Sequence, residues 1–302
     1  MRVFVAGGSG TIGVPLVKAL VRAGHQVTAT TRSPEKQLML RALGASPVVV
    51  DALDAEALAA VVRAAAPTHV IHQLTALPKA GIKRAAELEP TNRLRDEGTR
   101  NLLNAAIAAR ATRVIGGSFA LIGAAPARAD SPTGPAGDAV RSMESQITNA
   151  ARAGAIEGIV LRYGMFYGAG SPSTDELVKL VRRRRLPAIR HDRGQLPYIH
   201  LHDAVSATIA ALDRGRAGET YDIVDDRAMS FSDMVRELAA AVGAPPPFTV
   251  PAWLPRLLMP YMAGLIAIRL PLSNAKAVAE LGWRPRYPTI HEGLARMLAT
   301  AA

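Results

Sequence analysis

"VFVAGGSGTIGVPLVKAL" occupies residues 3–20. An apolar run gives way to a knot of glycines and then to apolar residues at helical spacing. Unpaired amides at a helix N-terminus, with the positive end of the helix dipole, form a phosphate-binding feature. Main chain can approach a phosphate closely only where no Cβ intervenes and positive φ is allowed. The glycines fit two spacings, Gly8-x-Gly10-x-x-Gly13 and Gly7-x-x-Gly10-x-x-Gly13. Their place between a strand and a helix makes either one meaningful.

Outward from this loop, β-branched runs alternate with helical patterns, the mark of a parallel sheet covered on both faces. Strands are predicted at 2–6, 26–30, 47–50, 69–73, 113–117, 158–164 and 219–225. Helices are predicted at 11–23, 34–43, 54–65, 91–110, 138–153 and 200–215. A further helix starts at Ser230 or Ser232 and ends at Gly243. Residues 1–164, joined by 196–225, form the expected dinucleotide-binding domain. Residues 165–195 and 226–302 form the expected substrate lobe. The fold class is thus α/β: a Rossmann-type, doubly wound parallel sheet with a smaller C-terminal α/β lobe.

Composition narrows the function. The 302 residues contain no cysteine, which excludes disulfide scaffolds, thiolate metal sites and a cysteine nucleophile, and suits a cytoplasmic protein. The chain begins directly on a strand-like segment, without the pattern of a signal peptide. The apolar stretch 257–268 is too short for a bilayer span and contains Pro260, so it reads as buried or interface-facing rather than membranous. A net charge of +11 raises nucleic acid as a partner. The excess is nonetheless scattered arginine, apart from Arg182–Arg185, which reads as a solvated helix end or as an anion pocket with Arg190 and His191. No nucleic-acid partner is expected.

The second glycine spacing, "RVIGGSFALIG" (113–123), "VLRYGMFYGAG" (160–170), "LPYIHLHDAVSATIAAL" (196–212) and "AELGWRPRY" (279–287) occur in a specific order. Together they resemble the short-chain dehydrogenase/reductase superfamily, in its extended, epimerase/dehydratase-like branch. The resemblance implies that Gly7, Gly10, Thr11, Ile12 and Gly13 hold a pyrophosphate. It implies that Asp51 and Ala52 meet the adenine, and that Leu74, Thr75 and Ala76 line the ribose and pyrophosphate. The second strand ends in Thr31, Arg32 and Ser33, with no carboxylate before Glu35. That ending favours NADP(H), whose 2′-phosphate a guanidinium and hydroxyls can hold; NAD is the alternative.

The resemblance makes Ser118 the serine that orients a substrate oxygen. Its tyrosine-and-lysine pair is missing: counting back from Glu144 puts Ala136 and Val140 at those positions. The chain therefore resembles the atypical members. Tyr167 and Tyr163 are substitute candidates for the acid, and Arg95, Arg190 and His200 are candidate substrate contacts. His200 and His202 alternate along a strand with Asp203 beside them, too few ligands for a metal site. Asp203 is the expected cap of the following helix.

The expected activity is hydride transfer on a small carbonyl or hydroxyl metabolite or a nucleotide sugar. A non-catalytic NADP(H) sensor and a redox-neutral isomerase or lyase are the alternatives. By analogy with extended relatives, the expected assembly is a homodimer.

Overall fold

The computed structural model describes residues 1–78, 82, 84–123, 134–270 and 272–299. Eleven strands occur among them: β1 (Arg2–Ala6), β2 (Gln26–Thr31), β3 (Ser46–Val49), β4 (His69–His72), β5 (Arg113–Phe119), β6 (Glu157–Tyr163), β7 (Met165–Tyr167), β8 (Ala188–Ile189), β9 (Tyr198–His200), β10 (Thr220–Ile223) and β11 (Thr249–Val250). Seven form one parallel sheet in the order β10-β6-β5-β4-β1-β2-β3. The chain reverses its direction of travel between β1 and β4, the switch point where open α/β sheets bind ligands.

Side chains alternate across each strand, so both faces of a central strand must be apolar. Val3 and Val5 pack on one side with Leu16, Val17 and Leu20 of the helix Gly13–Arg22, and with Ala204 and Ala207 of the helix Leu201–Arg214. Phe4 and Ala6 face the other way, onto Leu58 and Val62 of Ala55–Ala65, and the same layer holds Leu102 and Met143. A third core contains Leu196, Tyr198, Val235, Leu238, Leu265 and Ile290, at the C-terminal ends of the strands. The pairs β7–β9 and β8–β11 extend into that region.

Several elements depart from the sequence expectation. The helix expected at 91–110 divides into Glu89–Arg93, a π-turn at Leu94–Gly98, and Thr99–Ala108. The one expected at 34–43 is a single 3₁₀ turn followed by Gln37–Ala42. Ser230, rather than Ser232, is the cap, accepting the Asp233 N–H at 3.0 Å.

Asp203 does not cap its helix. His200 does, with Nδ1 accepting the His202 N–H at 3.2 Å. Asp203 is fully buried and accepts the Tyr287 N–H at 2.8 Å, tying the helix to the C-terminal segment. His202 lies in the helix, so the two histidines do not alternate along one strand. Among the described residues no cluster could hold a metal ion, and no helix is long and apolar enough to cross a membrane.

The stretch 257–268 is only partly buried. Pro260 divides it into the helices Trp253–Leu258 and Pro260–Ile266, leaving Leu257, Leu258 and Met259 exposed while Ala263 and Leu265 are covered.

Candidate active site

The glycine loop follows β1. Gly7 has φ +88°, and a Cβ there would stand 2.6 Å from the Gln73 carbonyl oxygen. A Cβ on Gly13 would collide with the Gly7 carbonyl oxygen, so the helix can start this close to the strand only with glycine there. Gly8 is confined differently, against the Ala29 side chain. Both expected spacings therefore have a steric reason, with Gly7 taking the positive φ and Gly13 the close approach. Gly10 is exposed, and its N–H closes the turn onto the Gly7 carbonyl at 3.0 Å. The N–H groups of Thr11 and Ile12 have no hydrogen-bond partner among the described residues. Free amides, a helix N-terminus and a loop that a Cβ would fill suit a dinucleotide pyrophosphate.

The end of β2 lies beside this loop. Thr30 Oγ1 accepts the Gly7 N–H at 3.1 Å. The Thr31 hydroxyl is buried, accepting from Ser9 Oγ at 2.9 Å and from the Ser33 N–H at 3.1 Å, so it shapes the turn. Arg32 is exposed and unpaired among the described residues. Asp51 is exposed; one carboxylate oxygen accepts the Leu53 N–H and the other has no partner among the described residues. Ala52 is buried, its carbonyl held by Asn101.

After β4, two side chains steer the backbone through Leu74, Thr75 and Ala76. His72 Nδ1 accepts the Leu74 N–H at 3.2 Å, and Thr91 Oγ1 accepts the Ala76 N–H at 3.0 Å. Thr75 is left exposed. Because Nδ1 accepts, Nε2 carries the proton and donates to Thr99 Oγ1 at 2.9 Å. Thr99 donates in turn to the Arg95 carbonyl, within the π-turn, at 2.5 Å. Burial, followed by the Arg95 charge, lowers the His72 pKa to about 4, so the ring is neutral.

Ser118 ends β5 on the face covered by the helix Gly134–Arg152. Its hydroxyl donates to Glu144 Oε1 at 2.5 Å. Arg162, paired with Ser118 in the β5–β6 register, clamps the same carboxylate: Nε to Oε1 at 2.9 Å and a terminal nitrogen to Oε2 at 2.6 Å. Gly123 has no side chain because a Cβ would strike Glu144 and Arg162.

Arg95 is 7% exposed, and its guanidinium has no acceptor among the described residues. Burial brings its pKa down to about 10, partly opposed by Tyr261 and Glu144. Ala136 and Val140 pack with Leu88 and Ile122, and Tyr261 lies against that cluster. The Tyr261 hydroxyl and Asn92 Oδ1 are both buried without partners among the described residues.

The two tyrosines expected as substitute acids are placed differently. Tyr163 is 3% exposed; it accepts from Gln73 Nε2 at 3.0 Å and donates to Thr208 Oγ1 at 2.8 Å. Burial pushes its pKa to about 12. Tyr167 is buried, donates to the Thr289 carbonyl at 3.1 Å, and rests edge-on against His200. Burial, then nearby Asp225, raises its pKa strongly. His200 is buried between Tyr167 and Tyr287, with burial lowering its pKa to about 4. Arg182–Arg185, Arg190 and His191 are exposed. Arg95 thus feels the charge of Glu144, the carboxylate that holds Ser118, whereas neither Arg190 nor His200 bonds to Ser118 or Glu144 among the described residues. No sequence signal marked Tyr261, and Arg162, although it lies in the segment 160–170 that carries the resemblance, had no site role expected of it; both lie far from Ser118 along the chain.

The model of the "NAD dependent epimerase/dehydratase family" matches residues 3–224. The chain belongs to that family. It is 36% identical to a Streptomyces 3-diazoavenalumate denitrifying reductase, over 98% of this chain and all of that one. Its fold matches that of a Thermotoga maritima UDP-glucose 4-epimerase solved with UDP-glucose, at TM-score 0.79 and 21% identity, covering 100% and 99% of the two chains. It also matches a human epimerase family protein solved with NADPH, at TM-score 0.79 and 18% identity, with 99% of each chain covered. Family and relatives make this an enzyme of the oxidoreductase or epimerase kind that uses a nicotinamide dinucleotide.

Proposed function

We propose that the chain is an NADPH-dependent reductase of a small carbonyl compound. The observation that carries this reading is the buried, unmatched Arg95 guanidinium, which senses the Glu144 carboxylate that holds Ser118. An uncompensated buried cation costs several kcal/mol by rough reckoning, a cost that an electron-rich ligand oxygen offsets. Epimerisation and dehydration begin by taking a proton from a hydroxyl, and Ala136 and Val140 supply no base for it. Reduction requires only that the oxygen be held and protonated.

In this reading Gly7, Gly10, Thr11, Ile12 and Gly13 hold the pyrophosphate. Asp51 and Ala52 face the adenine, and Leu74, Thr75 and Ala76 border the ribose. Arg32 and Ser33 hold the 2′-phosphate, and no carboxylate at the end of β2 repels it. When bound, the reduced nicotinamide supplies the hydride. Arg95 holds the substrate oxygen, and Ser118 Oγ, kept in place by Glu144 and Arg162, lines the same site with its lone pairs. Tyr163 and Tyr167 stand outside the chemistry, since their hydroxyls serve the core. Residues 165–195 and 226–302 form the lobe that closes over the substrate.

The 36% identical relative favours a second reading, reductive loss of a diazo group, in which hydride takes the place of departing nitrogen. One experiment addresses both. The protein is mixed with NADPH or NADH and a panel of aldehydes, ketones and diazo arenes, and reduced nicotinamide is followed by absorbance. Carbonyl-dependent oxidation of NADPH is expected. Oxidation with diazo arenes alone selects the second reading, and tight binding without oxidation leaves a sensor.

A further inference from the structure

A reductase without the tyrosine and lysine needs another source for the proton. The vacated positions are not empty space: Ala136 and Val140 join Leu88 and Ile122 in a small apolar cluster, and Tyr261 lies against it. Tyr261 comes from the opposite end of the chain. Pro260 occupies the first turn of the helix Pro260–Ile266, where its missing N–H costs nothing, and breaks it from the preceding helix at Met259. The break turns Leu257, Leu258 and Met259 to solvent and leaves Tyr261 half-buried.

The Tyr261 hydroxyl is fully covered yet bonded to nothing among the described residues. Buried hydroxyls nearly always find a partner, so an orphan one asks for an explanation. Arg95 presents a related anomaly from the π-turn, a helix irregularity frequent at functional sites: it is 7% exposed and its guanidinium has no acceptor among the described residues. The charges of the two groups act on each other: Arg95 opposes the rise that burial imposes on the Tyr261 pKa, and Tyr261 supports the Arg95 charge.

On the reductase reading, we infer that Tyr261 is the proton donor and that Arg95 stabilises the phenolate it leaves. This pair takes over, from the C-terminal lobe and the π-turn, the work of a tyrosine at 136 and a lysine at 140. The carbonyl carbon gains a C–H bond to the hydride supplied by reduced cofactor, and the carbonyl π pair moves onto oxygen. That oxygen takes the Tyr261 proton, giving the alcohol and oxidised cofactor. The Tyr261 oxygen then regains a proton from water. Burial keeps the hydroxyl protonated at neutral pH, as an acid must be, and Arg95 keeps the phenolate accessible during turnover.

Two measurements test the pair. First, phenolate formation is followed by ultraviolet difference spectroscopy across alkaline pH in wild-type protein, Tyr261→Phe, Arg95→Met and Arg95→Lys. Wild type minus Tyr261→Phe isolates the Tyr261 ionisation, without any need for turnover. Arg95→Met should move it upward by about one pH unit or more, and Arg95→Lys should largely restore it. An ionisation that Arg95→Met leaves in place overturns the pair.

Second, Tyr261→Phe should lower kcat for carbonyl reduction by about 100-fold or more while NADPH affinity stays at the wild-type value. A kcat within about threefold of wild type overturns the proton-donor role, on the same scale. Wild-type protein that binds NADPH but reduces no carbonyl overturns the reductase reading instead, so the two failures are told apart.

Discussion

Ser118 gives its only hydroxyl proton to Glu144, at 2.5 Å. Toward the site, then, the serine presents lone pairs, and Glu144 decides which way its hydrogen points. Arg162 holds that carboxylate in two places, so the serine's orientation is set by an ion pair spanning a helix and a strand. Ser118→Ala should leave NADPH binding unchanged and lower kcat/KM for carbonyl reduction by about 10-fold or more, because Glu144, whose charge supports Arg95, loses a donor that positions it. Glu144→Gln should destabilise the fold by about 3 kcal/mol, because it strands the Arg162 charge. Denaturant unfolding checks the second, and steady-state kinetics the first.

The cofactor loop gives the sharpest steric prediction. Gly13→Ala places a methyl group against the Gly7 carbonyl oxygen, and the strand and helix must separate to admit it. NADPH affinity should fall by about 10-fold or more, with a loss of about 1–3 kcal/mol of stability. Cofactor fluorescence titration and thermal unfolding measure the two effects.

On the proposed preference for NADPH, Arg32 is the residue to test, an exposed cation just after β2 without a partner among the described residues. Arg32→Ala should weaken NADPH binding by about 10-fold or more and leave NADH binding nearly unchanged. Equal losses for both cofactors would assign Arg32 a role other than holding the 2′-phosphate.

Asp225 supplies a pH prediction. Among the described residues neither of its carboxylate oxygens meets hydrogen-bond geometry, and burial, partly opposed by the Tyr167 hydroxyl and the His200 main chain, raises its pKa from 3.8 to about 8. Between those values the folded protein keeps a proton that the unfolded chain has lost. The folded pKa is the higher one, so its contribution is complete below 3.8 and is lost as pH rises toward 8. Unfolding free energies measured from about pH 4 to pH 8 should therefore fall for wild type relative to Asp225→Asn. Parallel curves would refute it.

The central strands of the main sheet are legible in the chain because each needs apolar residues on both faces, as Val3–Phe4–Val5 has. Element ends are less legible. The π-turn at Leu94–Gly98 carries no Gly or Pro at its start; it arises where the Thr99 hydroxyl takes the Arg95 carbonyl and links it to His72, a partner 27 residues away. Tyr163 and Tyr167 lie close to Ser118 by strand order, but what surrounds a phenol oxygen depends on distant residues such as Gln73, Thr208 and Thr289.

Local sequence alone determined the glycine cradle, the sheet it opens and the absence of a tyrosine and lysine from the central helix. Each follows from chain geometry within a few residues: a Cβ that cannot fit, a repeat of two or of about four, a side chain that has no proton to give. Tertiary packing decided that Ser118 faces Glu144 and Arg162, that the buried Arg95 guanidinium has no hydrogen-bond acceptor among the described residues, and that Tyr261 lies beside Ala136 and Val140. Burial and charge pairing are sums over neighbours from every part of the chain, so those facts exist only once the chain has folded.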